Sequence, residues 1–194
     1  MNTRWRMLMV LGAVLGCGGV LGQEMPVARD LAIPVKGVNW VRLHAGTTAE
    51  GEASLLMTMG QNNGGLFVLD VDLETGHCEQ YPVSDRKNST FPTATFRSLQ
   101  SGILYIGSAW DAHLHRFDPA HPERGVEDLG FLGEGSTFPT GINEAPDGSL
   151  WIGTAPESRL IKYEPKTGEF THFGRMHDNE NYLYPLVGDD YTVA

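Results

Sequence analysis

Hydrophobic and polar residues alternate in short runs along most of this chain, and turn residues separate the runs. The run at 160–164, LIKYE, alternates with a period of two, which is the pattern of a half-buried strand. The run at 150–152, LWI, is continuously apolar, as expected for a strand that is covered on both faces. Asp147-Gly148, between such runs, is typical of a tight hairpin turn. The pattern predicts many short antiparallel strands.

Three motifs recur at nearly constant spacing. Phe-Pro-Thr at 91–93 returns 47 residues later at 138–140, and Tyr-Pro-Leu at 184–186 is a weaker third copy 46 residues further on. The run at 102–107 returns after 46 residues at 148–153. The run at 114–119 also returns after 46 residues, and a related run lies 48 residues before it. Motifs that keep one phase indicate a structural repeat.

Each period divides into four strand-like pieces. In the third copy these pieces are 140–143, 150–154, 160–164 and 170–173. Four short strands in about 46 residues is the size of a propeller blade. The predicted fold class is therefore all-β, a β-propeller of four-stranded blades with only three full blades and part of a fourth present. The predicted blades span 37–85, 86–135 and 136–180, and 181–194 opens the fourth.

Composition supports β structure, since 24 Gly and 11 Pro imply many turns, and 41% hydrophobic residues suffice for a core. A propeller ring usually closes with four to eight blades, because an open ring leaves an unpaired edge and an exposed blade face. We therefore expect either a fragment of a longer protein or a ring that is completed by another chain.

The N-terminus has the pattern of an export signal. Arg4 and Arg6 precede an apolar run at 7–16, which is too short to span a bilayer. The predicted organisation is a signal peptide at 1–22, a linker at 23–36 and an incomplete propeller domain at 37–194. Residues 14–17 resemble a lipobox, so lipidation of Cys17 is an alternative end of the signal, after Gly16. The predicted location is extracytoplasmic: periplasmic, secreted or lipid-anchored at the cell surface.

The formal net charge is −10, with 14 Lys and Arg against 24 Asp and Glu. Such a surface repels phosphate backbones, so nucleic acid is excluded as a partner. The remaining partners are a small-molecule or carbohydrate ligand or a protein, with membrane contact only through a lipid anchor.

The sequence at 138–142, 145–154 and 160–173 resembles the repeats of streptogramin lyase-like (virginiamycin B lyase-like) propellers. It is also similar to blades of NHL, regucalcin/gluconolactonase-like and periplasmic sensor propellers. In the lyases, this resemblance implies a seven-bladed ring that cleaves a cyclic depsipeptide ester by elimination. It also implies a His base, a second His and a Glu-bound divalent cation in the later blades. No catalytic residue is assigned in the present sequence, no motif requires a cofactor or a metal, and a divalent cation remains an option.

Polar and aromatic residues near the predicted channel mouth are candidates for ligand binding. His113 and His115 share one strand face, so with Asp111 they could form a base or metal site; His121 lies nearby in sequence. Alternatively they are structural, because position 115 aligns with Ile161 and position 113 with a rim residue.

Three further candidates come from the repeat and its rim. Thr93 and Thr140 lead into the innermost strands, where they contact ligand or belong to a repeated turn that seats an aromatic residue between blades. Trp110 either stacks on a sugar or another flat ligand or packs at a blade corner. The candidate ligand-binding residues are thus Thr93, Trp110, Asp111, His113 and Thr140.

The sequence favours an exported propeller that acts as a ligand-binding or interaction platform. The alternative is a streptogramin lyase-like or lactonase-like enzyme that uses a divalent cation and His at the channel mouth. A repeated scaffold does not by itself decide between them.

Overall fold

The structure, a computed structural model, describes residues 40–48, 51–61, 65–83 and 90–188. These residues form three separate four-stranded antiparallel sheets. The predicted signal peptide, linker and Cys17, together with 189–194, lie outside the described residues. Within the described ranges there is no helix long and apolar enough to cross a membrane.

The strands of each sheet pair in chain order, so each sheet is an up-and-down meander, here called a blade. Blade 1 contains β1 (Trp40–Thr47), β2 (Ala53–Gln61), β3 (Gly65–Asp72) and β4 (Cys78–Pro82). Blade 2 contains β5 (Phe91–Arg97), β6 (Leu104–Ala109), β7 (His113–Phe117) and β8 (Val126–Phe131), with a 3-10 turn at Pro122–Arg124. Blade 3 contains β9 (Ser136–Glu144), β10 (Leu150–Pro156), β11 (Arg159–Glu164) and β12 (Glu169–Arg175).

These blades confirm the predicted fold class, a partial β-propeller with a period of about 46 residues. The four strands predicted in the third copy coincide with β9 to β12, which extend them by a few residues. The predicted alternation also holds, since Ile161 and Tyr163 are buried while Leu160, Lys162 and Glu164 are partly exposed. The start of a second strand expected at 192–194 lies outside the described residues.

Turn chemistry closes the hairpins where the sequence predicted it. In the β9–β10 turn, Gly148 has φ +88°, a conformation that Gly adopts without strain. The Asp147 carboxylate accepts hydrogen bonds from the backbone N–H and the hydroxyl of Ser149, at 2.9 and 2.6 Å. These bonds hold the pKa of Asp147 below its ordinary value. The turn therefore fixes the register of the first hairpin of blade 3.

The first strands of the three blades lie next to one another on the inner side of the arc. β5 contacts both β1 and β9, so β1, β5 and β9 form the inner edge. Because each blade is an up-and-down meander, the blade-to-blade connections and the loops between second and third strands lie on one face, here called the loop face. The remaining hairpin turns lie on the opposite face, here called the hairpin face.

Apolar side chains fill the space between neighbouring blades. The core between blades 1 and 2 includes Leu56 and Val68 from blade 1 and Ile106 and Phe117 from blade 2, each 0% exposed. The core between blades 2 and 3 has the same construction. Its buried members are Tyr105, Ala112, Leu114, Leu132, Leu150, Ile152, Ile161 and Tyr163. Each blade thus buries the apolar face of its neighbour, as the repeat predicted.

Each blade has a glycine in its second strand, and the backbone or a proline of the segment that follows the blade packs directly against this glycine. A Cβ on Gly107 would lie 2.1 Å from Cγ of Pro139. A Cβ on Gly60 would lie 2.1 Å from the carbonyl oxygen of Thr90, and a Cβ on Gly153 would lie 1.9 Å from that of Leu183. The repeated prolines therefore seat the next blade closely against strands that carry no side chain at this position.

Hydrogen bonds add specificity between the blades. Between blades 1 and 2, His44 Nε2 lies 2.8 Å from the hydroxyl of Thr95. Between blades 2 and 3, the hydroxyl of Ser98 donates to Glu144 at 2.6 Å, and the amide of Gln100 donates to the carbonyl of Ala145 at 3.1 Å. These bonds fix the inner strands relative to one another, in addition to the apolar packing.

Candidate functional site

Five aromatic side chains form a continuous series of ring contacts on the loop face, here called the aromatic row. Trp40 opens β1, Phe91 opens β5, and Phe138 lies near the start of β9. Trp110 lies in the loop between β6 and β7, and Tyr182 follows blade 3. Because all five positions lie at the loop-face ends of their strands or connections, the meander topology brings residues 142 positions apart in sequence onto one surface.

Neighbouring rings in the row are in direct contact. The centroid of Trp40 lies 5.4 Å from that of Phe91, and Phe91 lies 6.5 Å from Trp110. Trp110 lies 5.6 Å from Phe138, which lies 6.0 Å from Tyr182. Trp110 is nearly perpendicular to both phenylalanines, with interplanar angles of 85° and 89°. Edge-to-face contacts of this kind are favourable aromatic geometry, so the rings support one another.

Exposure alternates along the row. Trp40, Trp110 and Tyr182 are 47%, 62% and 54% exposed, whereas Phe91 and Phe138 are only partly exposed. Each phenylalanine thus lies between two of the more exposed rings and packs against both. Contiguous apolar patches in contact with water are uncommon on monomeric proteins and are typical of interaction surfaces, so the aromatic row is a candidate site.

The structure places two of the predicted ligand contacts in structural hydrogen bonds. The hydroxyl of Thr93 donates to the carbonyl of Gly107 at 3.3 Å, and the carbonyl of Thr93 accepts from Arg42 at 3.4 Å. The hydroxyl of Thr140 donates to the carbonyl of Leu183. Both threonines therefore help to join strands or successive repeats, and each keeps partial exposure beside the aromatic row.

The predicted cluster of Asp111, His113 and His115 comes together through two residues that the sequence did not single out. The hydroxyl of Ser108 donates to Asp111 at 2.6 Å, and His115 Nε2 lies 3.1 Å from the same oxygen. Asp128 Oδ1 lies 2.9 Å from His113 Nδ1 and 3.8 Å from His115 Nδ1. We call these five residues the polar network.

The polar network lies beneath the loop that carries Trp110. Ser108 and His115 are 0% exposed, and His113 is 9% exposed. The Ser108 hydroxyl has two carbonyl or carboxylate acceptors within reach, Asp111 at 2.6 Å and the carbonyl of His113 at 3.4 Å. A hydrogen bond to His115 thus has the Nε2–H of His115 as donor and the Ser108 oxygen as acceptor. The Ser108 hydroxyl is therefore neither accessible to a substrate nor oriented to give its proton to the histidine. The arrangement resembles a catalytic triad in composition and forms an internal hydrogen-bond network.

A divalent cation in a protein is held by several converging His, Cys, Asp or Glu side chains. Among the described residues no group of three or more His, Cys, Asp or Glu side chains is placed to hold a metal ion. His121, the remaining histidine near the predicted cluster, lies on an exposed turn, where its Nδ1 is 3.6 Å from Oε1 of Glu123. The three described blades thus contain no such ligand group, and the family resemblance places the cation in later blades.

Two cavities of about 300 and 310 Å³ lie on the hairpin face. The first, between blades 1 and 2, is acidic. In it Asp70 has a raised pKa, mainly because of burial and further because of Glu79 and Asp72, and the hydroxyl of Tyr81 donates to Glu79 at 2.5 Å. The second lies between blades 2 and 3 and is lined mainly by hairpin residues such as Gln100, Asp147 and Lys166.

Solved propeller structures share the fold of this chain. A catalytically inactive virginiamycin B lyase from Staphylococcus aureus, solved with quinupristin, aligns over 83% of this chain and 50% of its own, with a TM-score of 0.62 and 14% identity. This chain has a streptogramin lyase-like propeller fold. The same propeller aligns over 83% of its length with 20% of the extracellular domain of a one-component system from B. thetaiotaomicron, with a TM-score of 0.53 and 15% identity.

The propeller spans about half the length of the lyase that it matches. No family model matches the sequence, and no curated protein matches it either. At 14–15% identity the likeness concerns the fold alone.

Sequence reasoning found one exposed member of the aromatic row, Trp110, and missed the others as a surface. The Phe-Pro-Thr repeat pointed to Phe91 and Phe138 as aromatic residues seated between blades. By the same repeat the next member would be Tyr184, but Tyr182 contacts Phe138. Trp40 has no counterpart in the repeat. Asp128 lies on a fourth strand where no motif recurs, so no sequence signal marked it.

Proposed function

We propose that this propeller is a ligand-binding platform and that the aromatic row is its binding surface. The observation that carries the proposal is the alternation of exposed and supported rings across all three blades. Exposed Trp and Tyr side chains provide large contact area at low conformational cost and are enriched where proteins bind partners. Scaffold strands hold Trp40, Phe91 and Phe138, which favours a rigid site.

A thermal-shift screen tests this proposal. The full chain, its Trp110→Ala variant and its Leu99→Ala variant are screened against sugars, peptides and planar aromatic compounds. Leu99 is a matched control, because it is 90% exposed but lies on the hairpin face. We expect at least one compound to raise the Tm of the wild type and of Leu99→Ala, but not of Trp110→Ala. If every active compound stabilises all three proteins equally, the aromatic row is not the binding surface.

We further propose that the protein is exported, through a signal at 1–22 or a lipobox that ends at Gly16. The charged start, the short apolar run and Cys17 support this proposal. Mass spectrometry of the protein expressed with its own N-terminus distinguishes the two routes. Cleavage after Gly22 gives an unmodified chain, whereas a lipoprotein begins at a diacylated Cys17. An intact N-terminus in the cytoplasmic fraction would contradict both.

The enzyme alternative, a lyase or lactonase, rests on likeness of fold alone. Its strongest candidates, His113 and His115, lie in the polar network, and His115 is fully buried. The interpretation of the partial ring as a fragment, or as a ring completed by another chain, stays a prediction as well. Phe173 is 49% exposed and stacks on Trp151, which alternates along its strand with Leu150 and Ile152 of the core against blade 2; an aromatic pair on the other face of blade 3 is consistent with a further blade there. Size-exclusion chromatography with limited proteolysis tests it, since a compact, protease-resistant monomer would contradict an incomplete ring.

A further inference from the structure

The three exposed rings of the aromatic row are regularly placed. Trp40 belongs to blade 1, Trp110 to blade 2, and Tyr182 follows blade 3. One partly exposed phenylalanine separates each exposed ring from the next, with steps between 5.4 and 6.5 Å. A ligand that contacts all three exposed rings must therefore be elongated. It must also present an apolar face to each exposed ring, with one phenylalanine between each of these rings and the next.

The orientation of the rings argues against a planar ligand. A flat aromatic compound binds most strongly when two parallel rings enclose it. Trp110 instead stands at 85° and 89° to its two neighbours in the row, which already occupy the adjoining positions. No parallel pair of rings within the row leaves a slot around Trp110. Each exposed ring therefore offers a separate platform for one ligand unit.

Pyranose rings match these platforms. Their axial C–H groups form an apolar face that packs on an aromatic ring, while their hydroxyls stay hydrated or form hydrogen bonds at the edge. Partly exposed polar residues flank the row, namely Thr93, Asp111 and Thr140. In a linear oligosaccharide the apolar faces recur along the chain, which is the property that the row requires.

Charge selects among oligosaccharides. The chain carries a formal net charge of −10, which disfavours polyanions such as polyuronates. Among the described residues, Arg42 lies beside the row: its guanidinium is 6.0 Å from the centroid of the Trp40 ring and donates to the carbonyl of Thr93. This guanidinium therefore already has structural partners. The surroundings of the row favour an uncharged ligand.

We propose that the ligand of the aromatic row is a neutral, linear oligosaccharide that lies across the three blades and stacks on Trp40, Trp110 and Tyr182. The proposal rests on the proposed function and adds the class of ligand. It predicts that affinity depends on chain length, because a disaccharide reaches one exposed ring whereas a hexasaccharide reaches two or three.

Isothermal titration calorimetry tests the proposal with the full chain. The probes are neutral gluco-, manno- and xylo-hexasaccharides, the corresponding disaccharides, a hexagalacturonate and the planar compound riboflavin. We expect at least one neutral hexasaccharide to bind about tenfold or more tightly than its disaccharide. Replacement of Trp110 or of Tyr182 by Ala should each weaken this binding about tenfold or more, while Leu99→Ala should not. Circular dichroism and Tm values confirm that each variant is folded.

The outcomes separate the ligand class from the proposed function. If no neutral hexasaccharide binds, or if binding is equally strong for the disaccharide, the oligosaccharide proposal is wrong. If only riboflavin or hexagalacturonate binds and needs Trp110, the class is wrong while the platform stands. If no compound of the wider screen depends on Trp110, the proposed function itself fails.

Discussion

Replacement of Gly107 by Ala tests the close contact between blades 2 and 3. Gly107 lies in β6 within a buried strand, and an added Cβ would be 2.1 Å from Cγ and 2.9 Å from Cβ of Pro139. The proline ring is rigid and buried, so it cannot rotate away, and the two blades must move apart locally. Overpacking of this kind costs about 1–3 kcal/mol.

The expected loss for Gly107→Ala is about 2 kcal/mol, which corresponds to a fall in Tm of about 4–8 °C for a domain of this size. Gly141→Ala is the matched control. Gly141 also lies in a strand, but its added Cβ would find its nearest atom, Cδ of Pro185, at 3.4 Å, an ordinary contact. We expect this variant to change the stability by less than about 0.5 kcal/mol.

Urea unfolding followed by circular dichroism, together with calorimetric Tm values, measures both variants. The double variant Gly107→Ala, Pro139→Ala should recover part of the loss, since it removes the atom at 2.1 Å and leaves the one at 2.9 Å. The reasoning is refuted if Gly107→Ala is no less stable than Gly141→Ala, or if the double variant shows no recovery relative to the sum of the single changes.

Two further predictions concern buried and titrating groups. His115→Ala should lower the free energy of unfolding by about 2–3 kcal/mol, because it leaves a cavity and removes one hydrogen-bond partner of the buried Ser108. His121 is on an exposed turn, so His121→Ala should be nearly neutral in the same urea titration. Burial raises the pKa of Asp70 from its ordinary value of 3.8. The ionised carboxylate therefore destabilises the fold at pH values above the raised pKa, and this destabilisation is absent at pH values below 3.8. Hydrogen bonds from backbone N–H groups lower the pKa of Asp72 from 3.8. The ionised Asp72 therefore stabilises the fold at pH values above 3.8, and this stabilisation is lost as the pH falls through the lowered pKa. Asp70→Asn should therefore raise the Tm at neutral pH and Asp72→Asn should lower it, and both effects should fade in acid; equal pH profiles of the two variants would contradict this assignment.

The blade architecture could be predicted because it depends on periodic information. The run at 150–152 and the alternation at 160–164 are set by which faces a strand buries, and this is written locally in the sequence. The close seating of Pro139 on Gly107 was not predicted, although both residues lie in the recurring motifs. It depends on the distance between two sheets, which no strand pattern encodes.

The candidate site was predicted less well, for a related reason. Trp110 was singled out as a large residue near the rim, but the other exposed rings of the row, Trp40 and Tyr182, lie 70 and 72 residues away and do not share its place in the repeat. The row exists because the loop-face ends of several strands converge. Asp128 was not predicted as part of the site for the same reason, because only the pairing of β7 with β8 brings it close to His113.

Departures from the repeat identify where blade 2 differs from a plain scaffold blade. Position 115 holds His, whereas the equivalent positions hold Phe67 and Ile161, and all three are buried. A buried imidazole costs desolvation that an aliphatic or aromatic side chain would avoid. At this position it reaches the Ser108 hydroxyl, which in turn donates to Asp111, the residue directly after Trp110.

The polar network therefore connects the interior of blade 2 to the loop that carries the most exposed ring of the aromatic row. A platform on which a ligand stacks needs rings that do not rearrange on contact, because each immobilised side chain reduces the binding free energy. Edge-to-face packing on Phe91 and Phe138 restrains Trp110 from the sides, and the Ser108–Asp111 bond restrains its loop from below. Ser108→Ala should accordingly keep the aromatic row but weaken ligand binding, mainly through a larger entropic cost in calorimetry, and an unchanged entropy would show that the network serves stability alone.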